Sequence, residues 1–214
     1  EEEFDGYEIA IACAFEEKLT AEPGTRFIYS DINFLILGEI VTRISGMTLD
    51  EFAAQRIFKP LGMRDSMFTP PAILFPRIAP TQECAIWSWP CGGRGATMLR
   101  GMVHDPTARR MGGVAGHAGM FGTASDLARF GAMVLSAGKF NNERILTPLT
   151  IERMTSQATP SYVRDVRGLG WDIDSRYSAN RGDLFPIDSF GHTGFTGTSV
   201  WFDPSSQTCV VFLS

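Results

Sequence analysis

The chain has 214 residues, of which 44% are hydrophobic and 20% are charged, and its formal net charge is -5. These values are typical of globular proteins that can bury a sizeable core. Lysine and arginine are scattered along the chain, which argues against a nucleic-acid partner or an anionic membrane surface and favours a small-molecule or peptide-like substrate.

Targeting and metal-binding signals are absent from the sequence. No stretch approaches the ~18 to 20 apolar residues of a membrane span, and the acidic start differs from a basic signal peptide. The cysteines have no zinc-site spacing, so no metal is expected, although a disulfide between Cys84 and Cys91 stays open. The glycine-rich segment 112–123 lacks the G-x-G-x-x-G spacing of a nucleotide loop, and no cofactor is expected.

Helical periodicity dominates the first 160 residues. Ser30 or Asp31 is placed to cap the second predicted helix, and Gly46 to close it. The segment Thr69–Gly112 is rich in Pro, Gly and Arg and is predicted to form long loops. The predicted helices are Tyr7–Leu19, Ile32–Ile44, one capped by Thr48 or Asp50 that runs to Ile57, Asp126–Leu135, and one from Pro148 through Met154.

Strand patterns follow the helices. They are expected over Gly168–Ile173, over Ser189–Pro204 as a strand that turns into a second strand, and over Thr208–Leu213. Helices followed by three or four antiparallel strands predict an α+β fold whose sheet is incomplete in this chain. We expect one domain over 1–214, with a helical and loop lobe over 1–160 and the antiparallel strands over 161–214.

Two stretches combine polar groups with backbone freedom. Tyr29 lies where a short extended segment meets the second predicted helix, a corner that can hold a side chain at the mouth of a cleft. The glycines around His192 let a ligand approach the backbone and leave N–H groups to donate. The alternatives are a core tyrosine and a glycine-rich hairpin with a solvated histidine. Neither G-x-S-x-G nor H-E-x-x-H occurs in the chain.

Five blocks, taken together and in order, resemble the serine β-lactamase and penicillin-binding-protein superfamily, of the class C and esterase type. Any one block is a weak signal, whereas five in the order of the family are a strong one. The blocks are Pro23 to Gly38 around Tyr29-Ser30-Asp31, Phe58 to Met63, Gly116-His117-Ala118-Gly119 with Thr123 to Phe130, Gly168-Leu169-Gly170-Trp171, and Gly191-His192-Thr193-Gly194.

The resemblance implies a role for several residues. Tyr29 matches the tyrosine that moves protons to and from the nucleophile, a task that nearby cations assist. The triplet His192-Thr193-Gly194 matches the Lys-Thr-Gly strand that binds the carboxylate or carbonyl region of the substrate. The backbone N–H of Phe195 matches one oxyanion donor, and such a donor is typically worth ~3 to 4 kcal/mol of barrier.

Two residues depart from the family pattern. Asp31, which the resemblance places among the substrate-binding residues, stands where asparagine is usual, and its added negative charge opposes a tyrosinate. His192 replaces lysine, which makes the cationic charge weaker near neutral pH. Both changes fit an esterase or a peptide-like amide hydrolase better than an enzyme that binds a β-lactam carboxylate.

A third departure concerns the nucleophile. The family places it in a Ser-x-x-Lys helix upstream of the tyrosine, and no serine precedes Tyr29 here. The literal match Ser136-Ala137-Gly138-Lys139 follows Tyr29 and puts Gly138 at a helix end, so we interpret it as coincidence.

The sequence therefore predicts an acyl-transfer serine hydrolase acting on an ester, an amide or a β-lactam. Its nucleophile and lysine are expected in a missing N-terminal segment of the same protein, and residues 1–214 alone are expected to be inactive. The alternative is a non-catalytic module that holds a peptide or acyl ligand. Periplasmic or secreted placement is implied by the resemblance alone.

Overall fold

The fold was obtained as a computed structural model, which describes residues 6–84 and 97–214. Helices occupy most of the first half of the chain and strands most of the last third. A π-helical turn, Ala54–Phe58, joins the third helix to the fourth, and 3-10 turns cover Ala72–Arg77 and Ser178–Arg181. The α-helices are α1 Tyr7–Glu16, α2 Asp31–Ser45, α3 Leu49–Ala53, α4 Lys59–Leu61, α5 Pro106–Arg110, α6 Ala124–Leu135 and α7 Pro148–Thr155.

The strands form two short hairpins and one larger sheet. The larger sheet is an antiparallel meander of five strands in the order β5-β6-β7-β8-β9, and the hairpins pair β1 with β2 and β3 with β4. The strands are β1 Gln82–Cys84, β2 Thr97–Leu99, β3 Lys139–Phe140, β4 Glu143–Arg144, β5 Val166–Arg167, β6 Asp172–Asp174, β7 Phe190–Thr193, β8 Ser199–Asp203 and β9 Thr208–Phe212.

The backbone clusters into two compact units, each built from separate stretches of chain. The first unit takes its described residues from 6–18, 30–55, 65–84 and 97–122. Its apolar core is Ala10, Ile11, Leu35, Val103, Ala108, Met111 and Ala115. Glu39 is buried beside this core, and its carboxylate accepts hydrogen bonds from the Tyr7 hydroxyl at 2.7 Å and from Arg43 Nε at 2.6 Å.

The second unit comprises residues 19–29, 56–64 and 123–214 and contains the five-stranded sheet. Aromatic packing forms its core. Phe190 stacks on Phe202 with ring centroids 5.0 Å apart, and Trp171 meets Phe202 edge-on at 5.3 Å. Helix α6 lies directly on the sheet, because a Cβ added at Gly131 would stand 2.7 Å from Cys209 Sγ. These rings supply large buried areas, so Trp171 is a packing residue.

Helices α2 and α6 follow from local sequence as predicted. Ser30 is the N-cap residue of α2, and Asp31 in its first turn faces the positive end of the helix dipole. Gly46 ends α2 in the left-handed conformation with φ +68. Thr123 caps α6, and its hydroxyl accepts from the Asp126 N–H at 3.2 Å. Thr123 thus satisfies an open backbone donor of α6, whereas the Ser30 side chain makes no capping hydrogen bond at α2.

Three predictions about elements were wrong. The stretch Gly168–Ile173 is a turn followed by a strand, because Gly170 has φ +81 and the Gly168 N–H donates to the Trp171 carbonyl at 2.9 Å. The supposed loop region Thr69–Gly112 contains β1, β2 and α5, and the N-cap Asp105 with the following proline starts α5. The sheet has five strands where three or four were expected.

Within residues 6–84 and 97–214, no single helix has the length and apolar composition needed to cross a membrane. The helices Asp31–Ser45 and Leu49–Leu61 meet that test only together, and they are bent by 74° where they join. The disulfide between Cys84 and Cys91 that the sequence left open involves Cys91, which lies outside the described residues. The predicted division of one domain at residue 160 stays a prediction.

Candidate active site

Tyr29 and His192 lie side by side in the second unit. Their ring centroids are 6.2 Å apart, and the Tyr177 ring packs against Tyr29 at 5.3 Å. Tyr29 ends an extended segment just before α2, and its side chain is 46% exposed. The start of that segment is fixed by the Tyr162 hydroxyl, which donates to the Gly24 carbonyl. The phenol is therefore held by neighbours but open on one side.

Strand β7 presents His192 at the middle of the sheet. Residue Gly191 pairs with Trp201 and His192 with Val200 of β8. A Cβ at Gly191 would stand 2.3 Å from the Val200 carbonyl oxygen and 2.5 Å from the Trp201 ring, so only glycine fits there. The glycine lets the strands lie close together at the residue before His192.

Arg167 is a site residue that the sequence did not single out. Its Nη2 lies 3.0 Å from His192 Nε2, although β6 runs between their strands. The guanidinium carbon lies over three aromatic rings, 5.1 Å from the centroid of Phe27, 5.7 Å from that of Tyr29 and 6.0 Å from that of Tyr177. The only local signal was an arginine directly before the Gly-Leu-Gly-Trp block.

A buried carboxylate balances this arginine. Asp172 pairs with Arg167 in the register of β5 and β6, and its Oδ2 is 3.8 Å from Arg167 Nη1. Both side chains are almost fully buried, at 3% and 7% exposed. At that separation the contact is an ion pair without a hydrogen bond. A buried charge without such a counter-charge is costly, so the Asp172 carboxylate offsets the cost of burying the guanidinium.

The residues after His192 form the tight turn into β8. Thr193 pairs with Ser199, the Gly194 N–H donates to the Thr198 carbonyl at 2.7 Å, and the Gly197 N–H donates to the Gly194 carbonyl at 3.1 Å. Phe195 lies in this turn with an exposed side chain. The turn thus carries Thr193, Gly194 and Phe195 as one rigid segment. The roles predicted for them stay predictions.

Asp31 belongs to a polar cluster within the first unit. One carboxylate oxygen of Asp31, one of Asp105 and one nitrogen of His117 all lie within 4.8 Å of one another. His117 Nε2 is 2.8 Å from Asp105 Oδ1, which also accepts from the Ala108 N–H at 2.7 Å. Burial raises the pKa of Asp105, but the hydrogen bonds from His117 and Ala108 lower it more, so the pKa of this carboxyl lies below its usual range.

This cluster is the one group of three ligand-type side chains found in the part of the chain that the structure describes. A metal-bound histidine usually donates its second ring N–H to an acceptor. His117 is buried and its Nδ1 has no hydrogen-bond partner in the described chain. The geometry is that of a hydrogen-bonded Asp-His pair with Asp31 close by.

The Ser136-x-x-Lys139 match lies at the end of α6. Ser136 is the C-cap residue of that helix, and the Gly138 N–H donates to the Met133 carbonyl at 2.9 Å with φ +86 at Gly138. Lys139 begins β3. Serine and lysine therefore lie on either side of a chain reversal and not on one helix face.

Together, the helices and the antiparallel sheet match the fold of solved β-lactamase and penicillin-binding-protein homologues. The chain belongs to the Beta-lactamase family, whose model matches residues 8–214. The α+β fold class and the superfamily resemblance predicted from the sequence are thereby confirmed.

Relatives agree with this assignment. A Salmonella schwarzengrund (strain CVM19633) protein named "Putative D-alanyl-D-alanine carboxypeptidase" is 33% identical over 205 residues, covering 91% of this chain and 46% of that protein. A penicillin-binding protein homolog from Caulobacter crescentus has a TM-score of 0.70 at 19% identity, over 97% of this chain and 57% of that one. EstCE1, described as a hydrolase with promiscuous acyltransferase activity, has a TM-score of 0.67 at 22% identity, over 92% and 53%. The chain spans about half the length of the curated relatives it matches.

Proposed function

We propose that the protein is an acyl-transfer serine hydrolase of the Beta-lactamase family that cleaves an ester or a peptide-like amide. The observation that carries the proposal is the meeting of Tyr29 with His192 in one unit, 6.2 Å between ring centroids. These residues come from distant stretches of sequence and match two different motifs of the family. Packing alone does not require that they meet.

The proposed reaction proceeds through an acyl-enzyme. A serine hydroxyl outside residues 1–214 attacks the carbonyl carbon of the substrate while Tyr29 accepts its proton. As the carbonyl–heteroatom bond breaks, Tyr29 returns that proton to the departing alcohol or amine. Water then attacks the acyl-enzyme, which releases the acid and restores the serine. The segment Thr193 to Phe195 forms the wall that holds the substrate carbonyl.

The names of the relatives support this chemistry without fixing the substrate. One is named as a carboxypeptidase and one is described as a hydrolase with acyltransferase activity. Both activities transfer an acyl group to a nucleophile. The substrate is therefore proposed only as an acyl ester or amide.

Active-site labelling tests the proposal. The full-length protein and residues 1–214 are treated with a fluorophosphonate probe and a penicillin probe, and adducts are counted by intact mass. One adduct on the full-length protein is expected, retained in Ser136→Ala, with none on residues 1–214. An adduct lost in Ser136→Ala would contradict the proposal. A folded, ligand-binding full-length protein that no probe or ester modifies would identify a binding module instead.

Tyr29→Phe removes the hydroxyl of Tyr29 and keeps its ring, so it tests the role of the hydroxyl alone. Loss of a positioned proton carrier costs about 10²- to 10⁴-fold in the acylation rate, while the ring contacts stay. Tyr177→Phe is the matched control, since it removes a hydroxyl from the ring that packs on Tyr29. We expect that control to stay within a few-fold of wild type. Equal effects of the two variants would remove Tyr29 from the proposed mechanism.

A further inference from the structure

Both ring nitrogens of His192 are engaged within the protein. Nε2 lies 3.0 Å from Arg167 Nη2, and Nδ1 lies 2.7 Å from the Thr193 carbonyl oxygen. A guanidinium only donates hydrogen bonds, so Nε2 accepts. A carbonyl only accepts, so Nδ1 carries the proton. The hydrogen-bond partners thus assign a neutral imidazole in the Nδ1–H tautomer.

Arg167 is fixed from several directions. Its backbone N–H donates to Thr159 Oγ1 at 3.2 Å, and its carbonyl accepts from the Ala158 N–H at 2.7 Å. The ion pair with Asp172 and the aromatic rings hold the side chain, which is nine-tenths buried. A buried guanidinium over aromatic faces is electrostatically favoured and keeps its charge throughout the range in which proteins are folded.

We infer that Arg167, and not His192, is the cation of this site, and that Arg167 is a positioning residue acting through His192 and Tyr29. Its hydrogen bond fixes the His192 tautomer, and its charge lies over the Tyr29 ring. His192 consequently has no N–H left to give to a substrate carboxylate. An anionic substrate responds to the charge of Arg167 through space. The inference about substrates rests on the proposed function, whereas the tautomer assignment does not.

Nitrogen NMR of the full-length protein, with ¹⁵N-labelled histidine, tests the tautomer directly. His192→Gln identifies the resonances by their loss. In the wild type we expect His192 Nδ1 to be protonated and Nε2 to be unprotonated. In Arg167→Met we expect the Nε2 resonance to shift, because the Nε2–H tautomer becomes populated. A protonated Nε2 in the wild type, or unchanged His192 resonances in folded Arg167→Met, would overturn the inference. Arg167→Lys keeps a hydrogen-bond donor and the positive charge, so His192 is expected to retain its wild-type tautomer in this variant. If Arg167→Met does not fold, Arg167→Lys is the variant that is measured instead.

Kinetics with paired esters tests the location of the charge. The probes are p-nitrophenyl hydrogen succinate, which carries a free carboxylate, and its neutral methyl ester. Arg167→Met is expected to lower kcat on both esters by about 10²-fold through misplacement of the site. The same variant should reduce the preference for the free acid by about tenfold. Arg176→Met is the control, because Arg176 pairs with Asp165 in the same unit.

His192→Gln, unlike Arg167→Met, is expected to leave the preference for the free acid over the methyl ester almost unchanged. A glutamine amide can accept from Arg167 and donate to the Thr193 carbonyl, so the preference for the free acid should stay within a few-fold. Loss of that preference in His192→Gln, with its retention in Arg167→Met, would overturn the inference. If neither ester is cleaved by the wild type, the proposed function fails on these substrates while the NMR result still decides the role of Arg167.

Discussion

Removing the charge of Asp172 should destabilise the second unit strongly. Asp172→Asn keeps the shape of the side chain but leaves Arg167 buried without its counter-charge. Breaking a buried pair in this way costs about 3 to 5 kcal/mol. The ions are 3.8 Å apart and not hydrogen-bonded, so we expect the lower end, about 3 kcal/mol of unfolding free energy. Asp174→Asn on the same strand is the control, because Asp174 is 56% exposed and its pair with Arg181 should contribute at most about 1 kcal/mol.

Urea unfolding of the full-length protein measures both values. With a slope of about 2 to 3 kcal/mol per molar, Asp172→Asn should lower the midpoint by about 1 to 1.5 M, and Asp174→Asn by at most about 0.5 M. Coincident transitions by tryptophan fluorescence and circular dichroism establish that a single free energy describes the unfolding. A loss below about 1 kcal/mol for Asp172→Asn would refute the argument that this ion pair compensates the buried guanidinium. The double variant Arg167→Met/Asp172→Asn should cost less than the sum of the single changes, because the remaining charge is gone as well.

Two further predictions concern the first unit. Gly116→Ala should lower the free energy of unfolding by about 2 to 3 kcal/mol, because its Cβ would stand 1.9 Å from the Phe34 carbonyl oxygen and backbone atoms cannot easily move away. Thermal unfolding measures this loss, and an unchanged Tm would contradict the contact. Hydrogen bonds from His117 and Ala108 outweigh burial and lower the pKa of Asp105, so this carboxylate stabilises the fold above its ordinary pKa and loses that contribution as pH falls through the lowered value. Asp105→Asn should therefore flatten the stability profile below about pH 4, and a profile that still falls as steeply would exclude Asp105 as its source.

The helices could be predicted because their signals are local. Apolar periodicity with a closing glycine predicts α2, and apolar periodicity with a capping hydroxyl predicts α6, and none of these signals depends on the rest of the chain. The strand predicted over Gly168–Ile173 was wrong because the chain turns at Gly170, next to a close contact with another element. A Cβ at Gly168 would stand 2.2 Å from the Met154 carbonyl oxygen, so the chain turns there against α7. Periodicity alone cannot register a contact with another element.

The residues of the candidate site also differ in whether local sequence or contacts between distant segments reveal them. Tyr29 and His192 could be singled out from the sequence because each lies in a short motif with its own pattern of residues. Arg167 was missed, because its importance comes from its contact with His192 and from aromatic rings that distant segments supply. An arginine beside a glycine-rich turn has no distinctive sequence pattern. Its role is visible only once the sheet brings these segments together.

The placement of Arg167 also changes how the motif at His192 is interpreted. Replacing lysine by histidine at this strand suggests a weaker cation, and this change, together with Asp31, favoured an esterase or amide hydrolase over an enzyme that binds a β-lactam carboxylate. The structure has a permanently charged guanidinium one hydrogen bond away from the histidine. On this view the positive charge is relocated to β5, on the far side of β6 from His192, instead of being weakened. The motif by itself is therefore no ground for excluding carboxylate-bearing substrates, and the preference for the free acid in the paired-ester experiment measures how far that charge reaches.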